Sequence, residues 1–167
     1  MLDRFSINPT QLTGLLSFAA ATVTCLIAAR RSLYEPRLWY LLAFINSLFA
    51  FEIIFGLRHR IHDFTNSILI AHGQYAQREP AQEMIVIFFA IFGLMLVTLF
   101  LVGRQVAGRP ARVAVSATIA VLALFAIETV SLHSLDAVFY RPIGPVLTIG
   151  WLWAIAAIGI ILGSVSI

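Results

Sequence analysis

Two carboxylates lie inside apolar stretches of this chain, and each is followed by a histidine and an aspartate. Glu52 belongs to the stretch FAFEIIFGLRHRIHDF, and Glu128 is followed by a second histidine and aspartate. The polar residues recur at three- and four-residue steps, which place side chains on one face of a helix. The first such face comprises Glu52, Gly56, His59, Asp63 and Asn66; the second comprises Thr129, His133, Asp136 and Tyr140, with Glu128 somewhat around the helix.

The two carboxylates are expected at similar depth, because the apolar segments that carry them run in the same direction with a rise of ~1.5 Å per residue. That depth is roughly two turns inside the outer boundary of the membrane. An ionised carboxylate there costs on the order of a few kcal/mol, so each is expected to be protonated, paired or facing water. We therefore predict a shared site at the outer end. Its candidate residues are Glu52, His59, Asp63, Glu128, His133, Asp136, Tyr140 and Arg141.

This set of side chains suits three kinds of site. A transition-metal site is possible in residue type, but neither HExxH nor a paired Glu-x-x-His spacing is present. The candidate metal ligands are His59, His62, His133, Glu52 and Glu128. A haem b would take one histidine of the second segment and His133 as axial ligands. In the third alternative, arginine, carboxylate and histidine satisfy one another and lock the helix ends together.

Composition defines the class of protein. Of the 167 residues 60% are hydrophobic and 11% charged, whereas a soluble domain is about half apolar and about a quarter charged. The chain is therefore predicted to be one integral membrane domain, residues 1–167. The net charge of +3 is small and lies on short connectors, which gives no indication of nucleic acid binding. Because every basic residue is arginine and alanine is abundant, the composition favours a bacterial source, and hence the inner membrane.

Apolar stretches of about 20 residues are long enough to cross a ~30 Å hydrocarbon layer. Five are present, at about 12–29, 38–57, 84–102, 113–133 and 146–166. The long connector after the second has an apolar stripe at helical spacing, which is typical of a helix lying in the interface. The predicted fold is an all-α integral membrane protein with five transmembrane helices and one interfacial amphipathic helix between the second and third. The helical pattern of the fourth segment extends to about Tyr140, where the prolines of RPIGP end it.

Arginines on short connectors predict the orientation. Six lie densely on the first and third connectors, and five are spread over the other side of the membrane. The dense side is taken as cytoplasmic, which places the N-terminus outside and the C-terminus in the cytoplasm. Gly159 and Gly163 have the small-x-x-x-small spacing of close helix contacts, either within the chain or in self-association or with a membrane-protein partner. Trp151 and Trp153 fit an outer aromatic belt.

The sequence names no specific activity. It contains no Gly-rich phosphate loop, nucleophile elbow or cysteine metal motif, which favours a role without catalysis. The prediction is a small multi-pass protein of the bilayer that serves as an accessory or partner subunit, or as a stand-alone bundle, around the outer cluster. The alternative is a haem- or metal-binding electron-transfer protein or membrane metalloenzyme. The stretches FEIIFGLRHRIHDF and IETVSLHSLDAVF also resemble each other when gaps are allowed, as an ancient duplication of a two-helix unit would leave them.

Overall fold

The computed structural model describes most of the chain. The described residues are 8–33, 35–56, 60, 63–64, 67, 70–71, 73, 78–102, 108–130 and 133–167, and in 78–81, 83, 99–102 and 133–134 the backbone alone is described. Nearly all of these residues are helical. The elements are α1 (Pro9–Arg31), α2 (Pro36–Phe55), α3 (Arg78–Val102), α4 (Arg109–Val130), α5 (His133–Phe139), β1 (Pro142–Ile143), β2 (Val146–Leu147) and α6 (Thr148–Val165).

Local signals explain where α1 and α2 begin and end. At the start of α1, the Gln11 backbone N–H donates to Asn8 Oδ1 at 2.8 Å, and the Asn8 N–H donates to Gln11 Oε1 at 3.1 Å. This reciprocal pair satisfies two N–H groups that have no partner within the helix. Helix α2 ends at Gly56, whose φ of 59° is left-handed and whose N–H donates to the Glu52 carbonyl at 2.7 Å. The stop of α2 is therefore fixed in the same turn that carries the Glu52 carboxyl.

Within the described residues, four helices are long and apolar enough to cross a membrane: α1, α2, α4 and α6. Helix α1 packs against α2 and α6, and α4 packs against α6 and α3, while α2 and α4 touch only lightly. The four helices thus form a bundle, and α3 lies outside it against α4. Their length and composition confirm the coarse prediction of a helical membrane protein.

Helix α3 contains the apolar stretch Met84–Thr98 and begins beside the end of α4. The Gln82 side-chain amide donates to the Val130 carbonyl at 3.0 Å. Gly93 lies against α4, since a Cβ built there would be 2.9 Å from the Ala123 Cβ. Helix α3 is therefore antiparallel to α4 and begins at the end of the bundle where α4 ends.

A small hairpin replaces the predicted start of the last helix. The strands β1 and β2 pair antiparallel around Gly144, whose φ is 67°, and α6 begins at Thr148, two residues later than the predicted 146. The Thr148 N–H and its hydroxyl both donate to the Arg141 carbonyl at 2.9 Å. The proline-rich stretch thus ends one helix and also closes a turn that sets the start of the next.

The other helix bounds also differ from the predicted spans. Helices α1, α3 and α4 begin a few residues earlier than predicted, and helical backbone is described up to Val130 and again over His133–Phe139. The predicted starts were read from hydropathy, and the first turns of these helices are helical but polar, so hydropathy does not detect them. Of the predicted interfacial helix, Arg60, Asp63, Phe64, Ser67, Ile70 and Ala71 have helical backbone, and the rest of that connector, apart from Gly73, lies outside the described residues.

Candidate functional site

A cavity of about 100 Å³ opens at the end of the bundle where α2 and α4 end and α1 and α6 begin; it is called the outer cavity after the predicted orientation. Both intramembrane carboxylates line it, although they lie on helices far apart in the sequence. The start of α1, the end of α2, the end of α4 and the start of α6 all contribute to its wall. The lining residues are Asn8, Thr10, Gln11, Glu52, Ile53, Gly56, Glu128, Tyr140, Leu147, Ile149 and Trp153.

Glu52 and Glu128 differ in burial. Glu128 is only 6% exposed, whereas Glu52 is half-buried at the mouth of the cavity. Each has an interaction partner within the structure, as does Tyr140. Glu52 lies within one turn of the last residue of α2, and Glu128 lies within one turn of the last residue of α4. The predicted depth of two turns refers to the membrane boundary and stays a prediction.

An aromatic layer closes the cavity on the side of the membrane centre. One ring comes from each bundle helix: Phe18, Phe49, Phe125 and Trp153. The Phe49 and Phe125 rings stack with centroids 5.0 Å apart, and Phe125 stacks on Trp153 at 5.6 Å. All four side chains are buried. The aromatic layer therefore lies about one turn from the two carboxyls, toward the middle of the bundle.

The hairpin forms one side of the cavity wall and is hydrogen-bonded to α1. The Leu147 N–H donates to Thr10 Oγ1 at 2.9 Å, which ties β2 to the first turn of α1. The side chain of Trp151 is exposed, and its indole N–H donates to the Ile143 carbonyl at 3.2 Å. Tyr140, next to the hairpin, contributes to the lining. The hairpin therefore positions one side of the site.

Among the other predicted site residues, the three whose side chains are described do not line the cavity. Asp63 and Arg141 are exposed, and Asp136 is half-buried and has a partner of its own. His133 begins α5, but its side chain lies outside the described part, as do His59 and His62 entirely. Within the described residues, no group of three or more His, Cys, Asp or Glu side chains is arranged to hold a metal ion. The structure thus joins three members of the predicted cluster: Glu52, Glu128 and Tyr140.

Trp153 was expected in an outer aromatic belt, and this prediction is wrong. It is 3% exposed and forms part of both the aromatic layer and the cavity wall. The sequence contains a signal for this arrangement that the gapped comparison obscures. The stretches LFAFE, residues 48–52, and LFAIE, residues 124–128, align without gaps. Phe49 and Phe125, the second residues of the two stretches, belong to the aromatic layer, and the glutamate three residues after each of them lines the cavity.

The contributions of α1 were also missed. Asn8, Thr10 and Gln11 line the cavity, but by sequence they are ordinary helix-start residues. Their polar atoms serve the cap and the hairpin contact as well. Apart from the Trp153 ring, the polar lining side chains carry carboxyl, hydroxyl or amide oxygens, which are the groups that hard cations prefer.

Comparison with known proteins gives no assignment for this site. No protein-family model, curated protein or solved structure matches the chain. The chemistry of the cavity therefore rests on its own geometry.

Proposed function

We propose that the chain crosses the bacterial inner membrane five times, with α3 as a span in addition to the four bundle helices. Helix α3 has 25 residues, and at ~1.5 Å per residue a helix of that length reaches about 37 Å, more than the ~30 Å hydrocarbon layer. The dense arginines on the first and third connectors favour an outer N-terminus and a cytoplasmic C-terminus. Reporter fusions at Gly73 and Gly108 are then expected to give opposite signals, with Gly108 cytoplasmic. Equal signals would exclude five spans.

The proposed role is that of an accessory or partner subunit, or of a stand-alone bundle, whose functional centre is the outer cavity. The observation that carries this proposal is that Glu52 and Glu128, from separate helices, line one cavity next to an aromatic layer. A polar centre in the bilayer is costly to keep, and such residues commonly mark a working site. Each of the two residues already has an interaction partner within the structure, so the first expected effect of the two carboxyls is on the stability of the bundle.

A second candidate function is binding of a small cation in the same cavity. The specific observation in its favour is the oxygen-rich lining, with two carboxyls, the Tyr140 hydroxyl and the Thr10 hydroxyl. A volume of about 100 Å³ corresponds to about three waters at ~30 Å³ each. That space suits one partly hydrated ion. A haem would require a different place, formed with the histidines of the connector and α5.

Thermal unfolding of the purified protein tests the two candidates against each other. Melting is followed by tryptophan fluorescence in calcium, magnesium or manganese chloride and in chelator, for the wild type, Glu52→Gln and Glu128→Gln. A cation site predicts a saturable rise in Tm that both substitutions abolish. A purely structural centre predicts no cation effect and a lower Tm in both variants. Glu35→Gln, at the opposite end of α2, is the matched control and should behave like the wild type.

A specific outcome would refute the cavity as the functional centre. If Glu52→Gln and Glu128→Gln leave the Tm, its cation response and the mass of the solubilised complex unchanged, the carboxyls have no role there. If a stoichiometric partner is lost from the complex in either variant while the Tm is unchanged, the accessory role is favoured over the stand-alone one.

A further inference from the structure

The inner end of the bundle carries a second, larger cavity of about 240 Å³. It lies where the first connector, the start of α4 and the end of the chain meet, on the side where α2 and α4 touch only lightly. Trp39 and Ala111, both buried, give it an apolar wall, and Ile167 contributes a third apolar side chain. The remaining lining residues are Ser32, Glu35, Gly108 and Pro110.

Four exposed arginines adjoin this cavity in the sequence. Arg30 and Arg31 end α1 immediately before Ser32, Arg37 lies in the first turn of α2, and Arg109 begins α4. All four are exposed, and no ion pair joins any of them to a carboxylate in the described part of the chain. These cations therefore come from three separate helices and converge at one end of the bundle without acidic partners among the described residues.

Two other charged side chains lie at this end. Arg112 is half-buried and has a partner within the structure, so it is already engaged. Glu35 is half-buried in the cavity wall, and its backbone N–H donates to Ser32 Oγ at 3.1 Å. One carboxylate against four exposed guanidinium groups leaves a net positive rim around a partly apolar cavity.

We propose that this rim binds the phosphate of an anionic phospholipid, with the cavity taking the glycerol and the first part of an acyl chain. Charge complementarity identifies the headgroup, since clustered arginines beside membrane helices attract anionic lipids. Arginine also matches phosphate oxygens in a bidentate geometry. The apolar wall formed by Trp39, Ala111 and Ile167 identifies the occupant as a lipid, because free phosphate has no group to place there. This inference does not depend on the function of the outer cavity.

The test measures lipid retention by the full chain in mixed micelles that contain equal amounts of palmitoyl-oleoyl phosphatidylglycerol and phosphatidylcholine. Native mass spectrometry gives the ratio of the two lipids that stay bound. The wild type should retain the phosphatidylglycerol preferentially. Each arginine contributes about 1 kcal/mol, which is a little over fivefold in affinity, so the Arg37→Gln/Arg109→Gln double variant should reduce that preference by about thirtyfold. Arg60→Gln/Arg141→Gln removes two exposed arginines from the outer end, and this matched control should keep the preference.

Salt provides a measurement that needs no variant. Raising sodium chloride from about 0.05 M to about 0.5 M shortens the screening length and should weaken retention of phosphatidylglycerol but not of phosphatidylcholine. Equal retention of both lipids by the wild type would overturn the proposal. So would an equal loss in the outer control variant, which would indicate a general charge effect. Displacement of the lipid by millimolar inorganic phosphate would show that the rim recognises the free anion instead.

Discussion

The contact between α6 and α4 predicts that Gly163→Ala destabilises the protein. A Cβ at position 163 would lie 2.6 Å from the Pro110 carbonyl oxygen and 3.0 Å from the Ala114 backbone nitrogen. Backbone atoms cannot rotate away, so the two helices must separate. Overpacking of this kind costs about 1–3 kcal/mol, and the better helix propensity of alanine returns at most about 1 kcal/mol. The expected net loss is about 1–2 kcal/mol in the free energy of unfolding, by the same two terms.

Gly159→Ala is the matched control on the same helix face. Its Cβ would meet one side-chain atom, the Ala117 Cβ, at 3.2 Å, which a slight adjustment relieves. Unfolding is measured in mixed micelles with rising sodium dodecyl sulfate, with tryptophan fluorescence as the readout because Trp153 is buried in α6. Gly163→Ala should unfold at lower detergent than the wild type, and Gly159→Ala close to it. The packing argument is refuted if Gly163→Ala is as stable as the wild type, or if Gly159→Ala is clearly less stable than the wild type.

The same pair of variants bears on self-association, which stays a prediction. Both glycines lie against α4 of their own chain. If this face also joined two copies, both substitutions would change the mass of the solubilised protein, measured by light scattering, at unchanged stability of each copy. Packing within the chain alone predicts an unchanged mass in both.

Two further predictions concern single polar side chains. Asn46 is fully buried and donates from Nδ2 to the Leu42 carbonyl at 2.8 Å, but within the described residues its Oδ1 accepts no hydrogen bond. Since an unsatisfied buried acceptor costs about 1–3 kcal/mol, Asn46→Leu should raise the free energy of unfolding by about 1 kcal/mol. A loss of stability would show that Oδ1 does accept a hydrogen bond in the folded protein. Asn8→Ala removes Oδ1, the acceptor for the Gln11 N–H in the α1 cap, and should cost about 1 kcal/mol, whereas Asn8→Asp, which keeps the acceptor, should cost much less; equal losses measured by thermal melting would contradict the capping role.

Hydropathy and helix geometry predicted the parts of this fold that repeat along the chain. Apolar runs of spanning length located the bundle helices, because the bilayer sets their length. The common direction of two helices brought Glu52 and Glu128 to the same end, and the structure places both at one cavity.

The parts that were missed depend on contacts between segments distant in the sequence. Trp153 lies in a helix that is apolar all round, so its sequence gives no indication of which face is buried. The hairpin around Gly144 depends on a left-handed residue and on the contact of Leu147 with Thr10, whereas the prolines of RPIGP predict only that a helix stops. Thr10 could not be recognised as a wall of the site because its role exists only once α1 and β2 meet.

The central claim is that Glu52 and Glu128 act as one unit at the outer cavity. A double-mutant cycle tests it most directly, with the free energy of unfolding measured for the wild type, Glu52→Gln, Glu128→Gln and the double variant. Side chains that share a site are coupled, so the effect of the double substitution should differ from the sum of the single effects by more than about 0.5 kcal/mol. The pair Glu35→Gln and Glu52→Gln, at opposite ends of α2, should be additive. Additivity of Glu52→Gln and Glu128→Gln within about 0.3 kcal/mol would contradict the claim.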